Sequence, residues 1–107
     1  MIHLAERISS ADFDEKVLNS EIPVLTEFYS DTCIPCKMLS PVLSELESEL
    51  EGKLKIYKVN VGYEQELVEK YDVQASPTII FFRDGEEVSR LRGAVKKADI
   101  SAEFEKL

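Results

Sequence analysis

The sequence has no tryptophan, a single histidine and only two cysteines among its 107 residues. Two cysteines cannot build the disulfide framework that stabilises many small secreted domains. A structural zinc ion takes four protein ligands, and the two thiols with His3 do not reach that number. We therefore expect no metal ion and no cofactor, and we look to the cysteines for chemistry of their own.

Long apolar runs and an excess of positive charge are also missing. No apolar stretch approaches the ~20 residues of a membrane span, and the first residues lack the basic start and apolar core of a secretory signal. With 13 Lys and Arg against 21 Asp and Glu, the formal net charge is −8, which repels phosphate backbones. We expect one domain over residues 1–107 that is cytoplasmic and monomeric and binds neither membranes nor nucleic acid.

Apolar periodicity predicts an α/β fold with a central mixed β-sheet flanked by helices. The predicted order is strand, helix, strand, helix, strand, helix, strand, strand, helix. The first part implies parallel crossovers, and the final hairpin adds antiparallel strands. The assigned segments are a helix opening at 9–12, strands 22–29 and 54–61, a helix over 37–50, a short helix near 67–71, hairpin strands 78–83 and 86–92, and a last helix near 100–107.

The two cysteines stand close together, in Cys33-Ile34-Pro35-Cys36, at a predicted strand-to-helix junction. A helix N-terminus stabilises a thiolate, because its free N–H groups and its dipole favour negative charge. The spacing brings Cys36 to the same side one turn later, and Pro35 is tolerated in the first turn. The segment is typical of a redox-active dithiol, in which the more exposed Cys33 attacks a disulfide and Cys36 resolves the mixed disulfide.

Two other interpretations of the cysteine pair stay open. Both thiols could be inert core residues, or they could form half of a zinc site. The junction position favours redox chemistry over an inert pair, and the shortage of further ligands disfavours zinc.

A carboxylate, Glu27, interrupts the apolar run 24–29. In such a strand it is costly unless it is paired or protonated, and burial would raise its pKa toward neutrality. Its position suits a general acid or base for Cys36, acting through a water. Lys58 interrupts a second apolar strand and could balance Glu27. From the residues alone, Glu27 could equally face solvent at a sheet edge, and Lys58 could point outward.

Pro77 and Gly93 mark boundaries of predicted strands in the last third of the chain. Pro77 cannot donate to a sheet ladder, so Ser76-Pro77-Thr78 marks the start of a strand or an edge. Local sequence favours a trans Ser76–Pro77 bond, because only ~5–6% of X–Pro bonds in folded proteins are cis. Gly93 ends the hairpin and is interpreted, by itself, as an ordinary loop glycine.

Several short motifs occur together in this one chain. They are Glu27-Phe28, Cys33-Ile34-Pro35-Cys36-Lys37, Pro41, Lys58-Val59-Asn60-Val61, Pro77-Thr78, Asp84-Gly85 and Gly93. The combination resembles the thioredoxin family over nearly the whole chain. The resemblance implies the thioredoxin fold and a thiol–disulfide oxidoreductase that reduces protein disulfides and is itself reduced by a thioredoxin reductase.

The resemblance also implies how the substrate face is built. The Ser76–Pro77 bond would be cis, with Pro77 packed beside the cysteines. The backbone near Ser76 would receive an extended substrate segment, and Gly93 with Ala94 would form an open rim.

The resemblance gives roles to three residues behind the cysteines. Glu27 stands where the family has a buried Asp, which supports a general-base role for it. Lys58 matches the family lysine near that carboxylate, and Pro41 would kink the long helix.

The chain departs from the usual family motif Trp-Cys-Gly-Pro-Cys at two positions. Thr32 replaces the Trp and removes an aromatic flap, whereas Ile34 replaces the Gly and adds a β-branched bulge where partners approach. Thr32, Ile34 and Pro35 are therefore candidate substrate-binding residues, and Arg92 adds a positive charge near the rim. We expect a shifted redox potential and a narrowed or altered set of partners.

Three functional hypotheses follow. The first is a disulfide reductase recharged by a thioredoxin reductase. The second is a thioredoxin-like protein that serves one dedicated target or reductase. The third is a docking module without turnover, which the presence of both cysteines, Glu27 and Pro77-Thr78 disfavours.

Overall fold

Five strands form one mixed sheet in this computed structural model, which describes residues 5–107. The strands are β1 (Glu6–Arg7), β2 (Val24–Tyr29), β3 (Lys55–Asn60), β4 (Thr78–Arg83) and β5 (Glu86–Arg92). Their order in the sheet is β1–β3–β2–β4–β5. Pairing is parallel from β1 through β3 to β2, and antiparallel from β2 through β4 to β5. The predicted mixed sheet is confirmed, and His3 lies outside the described residues.

Helices flank the sheet. They are α1 (Ser10–Phe13), continued by a π-helical turn over Asp14–Leu18, α2 (Ile34–Glu49), α3 (Gln65–Lys70) and α4 (Lys97–Glu105). The helix predicted over 37–50 begins earlier, at Ile34, because Cys33 caps it and Pro35 fits its first turn. Among residues 5–107, no helix has both the length and the apolar character that a membrane crossing needs.

Two apolar clusters, one on each face of the sheet, form the core. One includes Phe13 of α1 and Leu67 of α3, and the other includes residues of α2 and α4. Along β2, Phe28 belongs to the first cluster and Leu25 to the second, because strand side chains alternate between faces. Glu27 shares the face of Leu25. The strand thus aims this carboxyl toward α2, the helix that carries both cysteines.

The hairpin turn at Asp84-Gly85 fixes the path of the last two strands. Both residues have positive φ, 54° and 81°, as a two-residue hairpin turn requires. The returning strand β5 ends beside the start of β4, since Arg92 pairs with Thr78. This register brings Gly93 next to Pro77.

Candidate active site

Cys33 and Cys36 form a disulfide at the start of α2. Their Cα atoms are 5.2 Å apart, within the range for disulfides. Cys33 is the N-cap residue, and the Cys36 N–H donates to its Sγ over 3.1 Å. Cys33 is 9% exposed and Cys36 is 4% exposed, so the first cysteine is the more exposed residue. A thiolate at Cys33 would lie at the positive end of a 16-residue helix.

Glu27 is fully buried in the central strand of the sheet, so its interpretation as a solvent-facing edge residue is wrong. Neither carboxyl oxygen has a hydrogen-bond partner among the described residues. Loss of solvation raises the pKa of Glu27 from 4.5 to about 7, and the positive charge of Lys58 opposes this rise. The group is therefore poised to take up or release a proton near neutrality.

Lys58 lies directly across from Glu27 on β3, so its interpretation as a simply outward-pointing lysine is wrong. Its Nζ is 3.8 Å from Glu27 Oε1, close enough for an ion pair but too far for a hydrogen bond. The same ammonium sits 4.7 Å from the centroid of the Tyr29 ring, a cation–π contact. The side chain of Lys58 is 22% exposed, so it links the buried carboxyl to the surface.

An open pocket of about 260 Å³ lies between Lys58 and Cys36. It is lined by Tyr29, Ser30, Asp31, Cys36, Lys37, Ser40 and Lys58. Most of these residues carry polar groups, and the pocket is wide enough to hold water next to Cys36. Glu27 itself does not line this pocket; Lys58, which does, lies between the pocket and the buried carboxyl.

The Ser76–Pro77 bond is cis, which agrees with the family resemblance and not with the local preference for trans. The Gly93 N–H donates to the Pro77 carbonyl over 2.9 Å. Gly93 has φ +82°, and no atom lies within 4 Å of where a Cβ would stand. Its interpretation as a plain loop glycine is therefore incomplete, because it ties the end of the hairpin to Pro77 and leaves open space in front.

The other predicted site residues divide between separate surfaces. Thr32 and Ile34 flank Cys33 and are exposed. Pro35 and Ala94 line one groove between α2 and the segment after β5. Ser76 lines a different pocket, on the α3 side.

The sequence did not predict a pair of hydrogen bonds, called the Asn60–Asp31 clamp below, that hold the loop before Cys33. Asn60, buried at the end of β3, donates from Nδ2 to Asp31 Oδ1 over 3.0 Å. Its own Oδ1 accepts from the Gly62 N–H over 2.8 Å. The signal was a polar residue at the end of an apolar strand, but the partner loop lies 29 positions earlier in the chain.

Comparisons with known proteins agree with this geometry. The family model described as Thioredoxin matches residues 5–106. "Thioredoxin 1" of Nostoc sp. is 35% identical over 95% of this chain and 95% of its own length. "Thioredoxin" of Synechocystis sp. is 37% identical, covering 94% of each chain. "Thioredoxin M-type, chloroplastic" of Pisum sativum is 39% identical over 92% of this chain, which spans 58% of that protein.

Proposed function

The chain belongs to the thioredoxin family and is a thiol–disulfide oxidoreductase, and we propose that Cys33 and Cys36 carry its reaction. The observation that carries the proposal is the position of the pair. Both sulfurs lie at the N-terminus of α2 and are bonded to each other, and the more exposed cysteine comes first.

In the proposed reaction the reduced pair gives two electrons to a protein disulfide. The Cys33 thiolate attacks one substrate sulfur, which forms a mixed disulfide, breaks the substrate S–S bond and releases one substrate thiolate. The Cys36 thiolate then attacks Cys33 Sγ, forms the intramolecular disulfide and releases the second substrate thiolate. Two protons end on the substrate, so the substrate is reduced to a dithiol and the Cys33–Cys36 pair is oxidised.

We propose that Glu27 is the base that removes the proton of Cys36 before the second step. Its burial and its pKa of about 7 support the role, because a base titrating near the working pH transfers protons most effectively. Lys58 supports it by limiting the rise of that pKa. The role requires a water to pass from the pocket lined by Cys36 and Lys58 to the buried Glu27, which does not itself line that pocket.

We propose protein disulfides as substrates and a thioredoxin reductase as the electron donor, with the protein acting as a monomer in a reducing compartment, the cytosol. Thr32, Ile34, Pro35, Ser76, Pro77, Gly93 and Ala94 are the proposed substrate-binding residues. No group of three or more metal-binding side chains comes together within residues 5–107. A second candidate, a protein dedicated to one target or reductase, is favoured by Ile34, whose apolar side chain is 68% exposed beside Cys33.

The test is reduction of insulin disulfides driven by dithiothreitol. We expect the Cys33→Ser variant to lose the activity and the Cys36→Ser variant to trap substrates covalently on Cys33. Equal rates for Cys33→Ser and the unchanged protein would overturn the enzymatic role of the pair. Coupling to purified reductases then separates a general reductase from a dedicated one.

A further inference from the structure

The most exposed large apolar side chains of the described residues include two on the first turns of α2. Ile34 is 68% exposed and Met38 is 73% exposed. They are four positions apart, so they lie on one side of the helix and form a short apolar ridge. This ridge starts one residue after Cys33, in a chain whose other large apolar residues are mostly buried. Because this exposed apolar pair lies beside Cys33, it is a candidate contact surface for a partner.

A groove lies beside Met38, between α2 and the segment that follows β5. Its volume is about 370 Å³, and its lining is mostly apolar. The lining residues are Pro35, Met38, Leu39, Val42, Ala94, Val95, Lys96 and Lys97. The space suits a large side chain of a partner and is too small for a whole helix.

The charged residues that line the groove are lysines, although the chain as a whole has a net charge of −8. Lys97 is occupied, since its Nζ donates to Glu45 and, over 2.9 Å, to Glu49. Lys96 is exposed, and no ion pair involves its ammonium within residues 5–107. The groove therefore offers an apolar floor with one uncommitted positive charge at its rim.

We propose that the groove holds an apolar side chain of the disulfide-bearing polypeptide, next to an acidic residue that pairs with Lys96. The proposal rests on the proposed function, because Pro35, at one end of the groove, is only two positions from Cys33. A polypeptide whose disulfide reaches Cys33 would pass close to the Pro35 end of this groove. The groove thus selects substrates that combine an apolar residue with negative charge near the disulfide.

Three synthetic peptides with the same central disulfide ring serve as probes. The first carries one phenylalanine on one side of the ring and two glutamates on the other side. The second has lysines in place of the glutamates, and the third has alanine in place of phenylalanine. The rates of reduction by the dithiothreitol-fed protein give two ratios, first over second for charge and first over third for apolar contact.

We expect the unchanged protein to prefer the first peptide in both ratios. Met38→Ala should lower the apolar ratio about threefold or more, as expected for losing tens of Å² of apolar contact. Lys96→Glu should lower the charge ratio by about threefold to tenfold at low salt, and high salt should shrink this effect. The matched controls are Val88→Ala, an exposed apolar residue of β5, and Lys53→Glu, which makes the same change of net charge after the far end of α2.

The outcomes separate this proposal from the proposed function. If all three peptides are reduced at equal rates, or if the controls shift the ratios as much as Met38→Ala and Lys96→Glu do, the groove has no selective role, while the reductase function stands. If no peptide is reduced, the proposed function fails. If Met38→Ala instead abolishes a concentration-dependent self-association, the occupant is a second copy of the chain, and the proposal is overturned.

Discussion

Glu27 is a residue whose burial should be visible in stability as well as in catalysis. Its pKa is about 7 in the folded chain and near 4.5 when solvated. Between these values the folded protein holds a proton that the unfolded chain releases, so stability falls as pH rises through this window. The loss amounts to up to about 3 kcal/mol at pH 8 relative to pH 4.

Replacing Glu27 by Gln should remove this dependence. Urea unfolding of the variant between pH 4 and 8 should give a free energy that lacks the decline seen for the unchanged protein. Parallel curves for the two proteins would contradict the buried titration.

The Glu27→Gln variant should also lose the pH dependence near 7 of the step in which Cys36 attacks, and that step should slow about 100-fold or more.

Tyr29 should set the pKa of Glu27 indirectly. Its ring holds the Lys58 ammonium 4.7 Å from the ring centroid, beside the carboxyl. In Tyr29→Leu the ammonium moves out to water, so the pKa of Glu27 rises by about 0.5. The measurement is the titration of the Glu27 carboxyl carbon by NMR. Tyr29→Phe keeps the ring and should leave the titration in place; an equal shift in both variants would contradict the cation–π role.

Among the elements, the edge of β3 is completed by a side chain of α2. The short strand β1 pairs with β3 only at Tyr57 and Lys58. The preceding N–H, of Ile56, donates to Glu47 Oε2 over 3.3 Å, and Lys55 Nζ lies 3.7 Å from the same oxygen. A buried carboxyl of the helix thus continues the hydrogen bonding of the sheet beyond the end of β1.

Glu47→Ala should cost about 1–3 kcal/mol, because it leaves the buried N–H of Ile56 without a partner. Urea or thermal unfolding measures this loss. Glu49, exposed on the same helix, provides the control, since Lys97 keeps Glu45 as a partner when Glu49 is removed. Glu49→Ala should therefore change stability by less than about 0.5 kcal/mol. Similar losses in the two variants would show that Glu47 acts only through helix propensity or charge.

The elements also show what the sequence can predict. Strands 22–29 and 54–61 were assigned from apolar runs, and the core of each is a strand because both faces of the sheet are covered. The sequence predicts the start of α2 three residues late, at 37 instead of Ile34, since helical periodicity begins only after the cap and Pro35. The Asn60–Asp31 clamp and the Glu47–Ile56 bond could not be predicted, because each joins segments whose neighbourhood only the fold creates.

The residues of the candidate site differ in how far the sequence alone predicts their placement. Cys33 and Cys36 follow from spacing and from their place at a junction. Whether Glu27 is buried could not be decided from its strand alone, because the answer depends on β2 lying in the middle of the sheet. The cis bond before Pro77 was expected only from the family resemblance, since local sequence favours trans.

At the scale of the whole molecule, the disulfide is a minor part of what holds the fold together. It links residues three positions apart at one helix end, whereas the two apolar clusters span the sheet and its helices. Reduction should therefore lower the free energy of unfolding by only about 2 kcal/mol, the effect of closing a very short loop. Circular dichroism and urea unfolding of both forms measure this. A reduced protein that fails to unfold cooperatively would contradict it.

Both sulfurs lie at the start of α2, and this position limits how the protein can exchange electrons. In the proposed reaction an electron donor and an electron acceptor both have to reach Cys33 at this helix end, so we expect that they cannot be bound together. Each turnover then has two half-reactions that alternate in time, with one partner leaving before the other arrives. Steady-state rates measured against both partners should follow ping-pong kinetics, and an excess of either partner should inhibit the other by occupying the shared face.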